Sequence, residues 1–227
     1  MGKARVDAYQ ADAARSESVR ALFAAAGNGR FAEVTRLVQA GADVNAVHGG
    51  GTILCSALWH KNVDCAYFLL AHGARTDLDH GHRVGNLLWS ACSISVKDPE
   101  QKKKLLSIVE RLLLDGQDVN CRDTSVGYTP LLAAADVNNV AVAKELLAHG
   151  AKVNVVDFDG NTPLIAATRN GSVDMVTLLL EHGADMRASN ESGQAPLAIA
   201  QAKGSGDIVR ILRHPSLLAL ENRHAKR

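Results

Sequence analysis

A Gly-Ala phrase returns along this chain at an almost constant interval: Gly41-Ala42-Asp43-Val44-Asn45, Gly73-Ala74, Gly116, Gly150-Ala151-Lys152-Val153-Asn154 and Gly183-Ala184-Asp185. The glycines are 32, 43, 34 and 33 residues apart, so one interval carries about ten extra residues on a period of roughly 33. A unit of that size cannot bury a hydrophobic face alone. It must stack on its neighbours, and the product is a long surface suited to binding.

The unit from Asp157 to Asp185 states the local physics most clearly. Thr162 before Pro163 predicts a helix start, because the hydroxyl caps free backbone N–H groups and proline fills the first helical position without losing a bond. Ala166 and Ala167 are small enough for close helix approach, and Asn170-Gly171 then breaks the helix. In the second helix Val173, Val176, Leu179 and Leu180 are expected on one apolar stripe, with Asp174, Thr177 and Glu181 pointing elsewhere. Gly183 suits a left-handed closing position, and the Asp-, Asn-, Ser- and Gly-rich run to Gly193 predicts a hairpin-like loop.

These residues bring the unit close to a known family: it resembles an ankyrin repeat. The resemblance rests on Gly-Tyr-Thr-Pro-Leu at 127–131, Gly-Asn-Thr-Pro-Leu at 160–164 and Gly-Gln-Ala-Pro-Leu at 193–197. The pairs Leu69-Leu70, Leu112-Leu113, Leu146-Leu147 and Leu179-Leu180 and the Gly-Ala closures add to it. It implies an all-α repeat solenoid of stacked antiparallel helix pairs joined by β-hairpin-like loops. Six units are expected over 18–214, at about 18–46, 47–79, 80–121 with an insertion near 94–104, 122–156, 157–189 and 190–214. Residues 1–17 are expected as an N-terminal cap and 215–227 as a polar tail.

Where family members commonly carry a histidine after Thr-Pro-Leu, Cys55, Leu132, Ile165 and Ala198 stand here, so apolar packing is expected in place of that polar contact. The third unit departs most, with Gly85-Asn86-Leu87 in place of Thr-Pro-Leu. Pro99 is expected to end any preceding helix, and the stability minimum of the array is expected in this unit.

Hydrophobic residues make up 47% of the 227 and charged residues 22%, which fits a globular chain and excludes a mostly disordered one. A net charge of +1 gives no basic footprint for nucleic acid. No run reaches the ~18 apolar residues that span a bilayer, and the N-terminus lacks a secretory stretch. Cys55, Cys65, Cys92 and Cys121 sit at no metal-finger spacing and read as free thiols of a reducing compartment. The expectation is therefore a cytoplasmic monomer without membrane or nucleic-acid binding.

His60, His72, His80 and His82 lie in adjacent units, but His72, His149 and His182 precede closing glycines as repeat positions. Zinc needs about four convergent ligands, so neither a metal nor another cofactor is expected. Lys102-Lys103-Lys104 reads as a solvated loop or a helix start. No nucleophile–base order, phosphate loop or paired carboxylate stands out, so no enzyme activity is expected.

The resemblance implies a protein partner held by hairpin tips and by the exposed edge of each first helix, on a concave face. Residue by residue, that implies Trp59, His60, His82, Tyr128, Asp136, Phe158, Asp159, Asn161, Arg169, Asn170, Glu191 and Gln194 as binding positions. Trp59, Tyr128, Phe158 and Arg169 are the candidate anchors, since interface energy concentrates in aromatic and arginine residues. Trp59 and Phe158 read equally well as packing against adjacent units. The expected role is an interaction scaffold for an acidic-to-neutral protein surface. A regulatory or inhibitory subunit that masks an enzyme or transcription factor is the alternative.

Overall fold

The computed structural model describes residues 16–78 and 86–214. Residues 1–15 of the cap expected over 1–17, the tail 215–227, and the candidate His82 with its neighbour His80 lie outside the described residues.

Among the described residues there are six helix pairs. They are α1 (16–27) with α2 (Phe31–Gln39), α3 (Ile53–Trp59) with α4 (Val63–Ala71), and α5 (Leu87–Cys92) with α6 (Pro99–Leu114). Next come α7 (Pro130–Asp136) with α8 (Val140–Ala148), α9 (Pro163–Asn170) with α10 (Val173–Glu181), and α11 (Pro196–Ala202) with α12 (Gly206–Arg213). One short antiparallel sheet accompanies them, β1 (Val47–His48) with β2 (Gly51–Thr52), Val47 opposite Thr52.

The chain divides into two compact units, Met1–Ala91 with Val96–Gly116 and Cys92–Ser95 with Gln117–Arg227. In the first, α4 packs on α2, α3 and α6. In the second, α9 packs on α7, α10 and α11, while α10 packs on α8 and α12. First helices meet first helices and second helices meet second, as stacking requires.

The starts of the first helices are set by their capping residues. Thr52, Thr129 and Thr162 accept hydrogen bonds from the amides of Cys55, Leu132 and Ile165 at 3.2, 3.3 and 3.2 Å, and Pro130 and Pro163 occupy the first turn. Asn86 does the same work for α5, accepting from Leu88 N at 2.8 Å. Ala195 has no side chain able to cap, and α11 starts without that bond.

Cys55, Leu132 and Ile165 are wholly buried, so apolar packing fills this position as expected; Ala198, in the last pair, is exposed. On α10 the buried stripe is Met175, Val176, Leu178 and Leu179, while Val173 is exposed and Leu180 only half-buried. The core stripe is thus offset from the one expected. Val173 and Leu180 lie roughly 100–120° round the helix from Leu179, on the flank of the core face.

The extra residues of the third unit lengthen its second helix. Pro99 is the first residue of α6, a helix of 16 residues, and Asp98 caps it by accepting from Gln101 N at 2.9 Å. The lysine run forms the next turn. Lys104 and Gln101 both donate to Asp64 on α4, which ties the extension down, whereas Lys102 and Lys103 are exposed.

A second recurring device lies in the closing loops. Asn45, four residues after Gly41, donates to Gly73 O at 3.1 Å and accepts from Arg75 N at 2.8 Å. Asn120 bridges to Gly150 O and Lys152 N in the same way, and Asn154 to Gly183 O and Asp185 N. Where this position holds Asp77, the carboxylate pairs instead with Arg75, and Thr76 donates to Asp115 at 2.8 Å. An ionised aspartate has no N–H for the next carbonyl, so the bridge is not repeated there.

His72, His149 and His182 each place Nδ1 2.8–3.0 Å from the carbonyl four residues earlier. A carbonyl only accepts, so Nδ1 carries the proton and the histidine closes its helix.

Cys55, Cys65 and Cys92 are buried and Cys121 is half-buried. Burial pushes the Cys55 thiol up to about 12 and holds Cys92 well above the ordinary value; burial, with Asp64 adding, also raises Cys65. The thiolate is the reactive form. Iodoacetamide near neutral pH is therefore expected to alkylate Cys121 first, with the three buried thiols at least ~100-fold slower until the chain unfolds. Peptide mass spectrometry over a time course reads this, and rapid native labelling of Cys55 or Cys92 would contradict the burial.

Candidate protein-binding face

In the first unit, the C-terminal end of α3 presents Trp59, 47% exposed, with its ring 6.3 Å from that of Trp89 on α5 at 47°. Trp59 thus both faces out and packs on the next first helix. Trp89 was not singled out from sequence, although it stands three residues after the capping Asn86, where Cys55 and Leu132 stand relative to their threonines. His60 is exposed, with Nδ1 2.9 Å from the carbonyl of Ser56. Asn62 donates to the carbonyls of Ala26 and Gly27 at 2.9 and 2.8 Å and fixes this end of the helix pair.

In the second unit, the fingertips are bonded to one another. Each folds back on itself, with Asp123 N donating to Tyr128 O, Asp157 N to Asn161 O and Asn190 N to Gln194 O. Phe158 N then donates to Val126 O at 3.1 Å, and Glu191 N to Asp159 O at 2.9 Å, so three successive tips form one edge. Phe158 is 56% exposed and Val126 44%. The Phe158 ring lies so close over Gly127 that a methyl group there would sit 2.7 Å from it. Phe158 therefore packs on its neighbour with one face and meets solvent with the other.

The candidates separate into two kinds. Phe158, Asp159, Asp136, Glu191 and Gln194 are exposed, and Tyr128 and Arg169 are half-buried beside them. Asn161 is buried; it donates to Asp157 at 2.9 Å and accepts from Arg169 at 2.7 Å and from Asn190 at 3.0 Å. Its side chain is engaged in joining the fingers and is covered by them. The exposed Asn170 likewise donates to the carbonyls of Ala135 and Asp136, stitching α9 to α7.

Electrostatics around Tyr128 lean negative. Burial raises its hydroxyl above the ordinary value, Asp136, Asp157 and Asp159 add to that, and Arg169 alone opposes them. Asp157 is buried and accepts from Asp159 N, Asn161 N and the Asn161 amide. Turn geometry holds Asp123 similarly: Ser125 and Val126 donate to its carboxylate, and the hydrogen bonds lower its pKa although burial opposes them. No helix among the described residues is long and apolar enough to cross a membrane.

Known proteins match this architecture. A three-copy ankyrin-repeat family model matches residues 100–190 and 159–218, and a many-copy one matches residues 22–70. The chain is 39% identical over 111 residues to an ankyrin repeat domain-containing protein, SAT10, of Stachybotrys chartarum, covering 48% of this chain and 5% of that protein. It is 31% identical over 131 residues to the B-cell lymphoma 3 protein homolog of Mus musculus, covering 56% of this chain and 28% of that one. The chain thus spans only a small part of either relative.

Among solved structures, it resembles a chain in the Bd0816 predatory endopeptidase of Bdellovibrio bacteriovorus in complex with immunity protein Bd3460. The TM-score is 0.62 at 29% identity, covering 85% of this chain and 96% of that one. Capped helix pairs, bonded fingers and these matches agree: the chain is an all-α repeat solenoid and belongs to the ankyrin repeat family.

Proposed function

We propose that this protein is a binding module that holds a partner protein on its fingertips and on the exposed edges of its first helices. Ankyrin repeats are generally protein–protein interaction modules and usually not enzymes. The observation that carries the reading is the tip edge of the second unit, where exposed Val126 and Phe158 are fixed by backbone hydrogen bonds before any partner arrives. A preformed apolar edge lowers the ordering cost of association. In this reading Tyr128, Asp136, Phe158, Asp159, Arg169, Glu191 and Gln194 contact the partner in the second unit, Trp59 and His60 serve the first, and Asn161 and Asn170 hold the face in shape. The array is read as six units over 18–214 in a monomeric, cytoplasmic chain that needs no cofactor.

Partner capture by a Tyr128→Ala/Phe158→Ala variant is the test. Central aromatic anchors cost about 2 kcal/mol each on truncation, so recovery is expected to fall at least tenfold while circular dichroism is unchanged. Equal recovery from the folded variant would reject this face. Trp59→Ala tests the first unit separately.

The second reading, a subunit that masks an enzyme, draws support from the likeness to a chain in an endopeptidase–immunity protein complex. Adding the purified protein to the captured partner's activity assay separates the two, because a scaffold leaves turnover unchanged.

A further inference from the structure

Resting on the protein-binding reading, we infer that the tip face of the second unit takes a basic segment of its partner. A lysine or arginine sits against Tyr128, Asp136 and Asp159, and a neighbouring apolar side chain covers Val126 and Phe158. The apolar part is the exposed pair Val126 and Phe158, joined through the bond from Phe158 N to Val126 O. The half-buried Tyr128 lies two residues after Val126 in the same finger, and a tyrosine ring attracts cations.

Charge names the occupant. The side chains of Asp136 and Asp159 are exposed, and among the described residues neither has an ion-pair or side-chain hydrogen-bond partner. Asp157 is held inside its own turn, and the cation facing Tyr128, Arg169, donates to the neutral amide of Asn161 at 2.7 Å. Asp136 also stands at the C-terminal end of α7, where the helix dipole disfavours a carboxylate. It caps nothing and pairs with nothing there, so local stability does not account for it. The whole chain carries a net charge of +1, so this negative face is a local feature. It reverses the acidic-to-neutral partner surface expected from sequence.

Matched fluorescein-labelled peptides test the inference, one alternating arginine with leucine and the other glutamate with leucine. The arginine peptide is expected to bind at least tenfold tighter by anisotropy and to weaken as salt is raised. It is expected to shift the amides of Val126, Tyr128, Asp136, Phe158 and Asp159. In Asp136→Asn/Asp159→Asn, which retains shape, its affinity is expected to fall roughly tenfold. Equal binding of the glutamate peptide, shifts confined to other residues, or an unchanged double variant would overturn the inference. A partner lost by Tyr128→Ala/Phe158→Ala but kept by Asp136→Asn/Asp159→Asn would leave the protein-binding reading standing and overturn this one.

Discussion

Ile165→Ala is expected to lower unfolding free energy by about 3 kcal/mol, which is a fall of roughly 6–12 °C in Tm for a chain of this size. Ile165 is wholly buried on α9, the helix that packs on α7, α10 and α11 in the second unit. Truncation removes three buried carbons and leaves a cavity that the flanking helices cannot close without shifting. Ile165→Val, which removes one methyl, is expected to cost about 1 kcal/mol. Denaturant melts of both variants measure this, and a loss under about 1 kcal/mol for the alanine variant would mean the site relaxes freely.

Gly160→Ala is expected to cost about 2–4 kcal/mol by a different route. Its φ of 75° puts any side chain in the left-handed region, at about 1–2 kcal/mol. The added methyl would also stand 3.0 Å from Glu191 N and 3.2 Å from Asn190 Cα, which are backbone atoms and cannot swing aside. The next finger must then move away, breaking the bond from Glu191 N to Asp159 O. Gly183→Ala is the control, with a φ of 85° but nothing within 4 Å of the new carbon, so only the backbone cost of about 1–2 kcal/mol remains. Hydrogen exchange at Glu191 is expected to quicken in the first variant and to stay slow in the second. Equal losses in both would show that contact between fingers contributes nothing.

Periodicity exposed most of the architecture because each unit repeats the same local instructions. Thr162-Pro163 marked the start of α9, the closing glycines marked where pairs end, and the aromatic candidates Trp59 and Phe158 are indeed solvent-facing. The sequence was less legible where a residue has two compatible roles. Asn161 reads as a polar tip residue, yet it is buried because Asp157, Arg169 and Asn190 converge on it from both sides. Pro99 is expected to end any preceding helix, and α5 does end before it, at Cys92; the same proline also opens the longest described helix, since proline disfavours a helix on its N-terminal side and fits the first turn of one on its C-terminal side. The closing-loop bridges were visible as an Asn four residues after the glycine, but their partners lie 28–32 residues away.

What the sequence alone determined is the brick: its period, its helix starts, its turns and its apolar composition, all set by interactions within a few residues. Which face of Phe158 is covered, which asparagines join fingers, and where Asp136 and Asp159 leave charge unmatched were decided only by tertiary structure. These depend on what the neighbouring brick places opposite each side chain, and spacing along one chain does not carry that information.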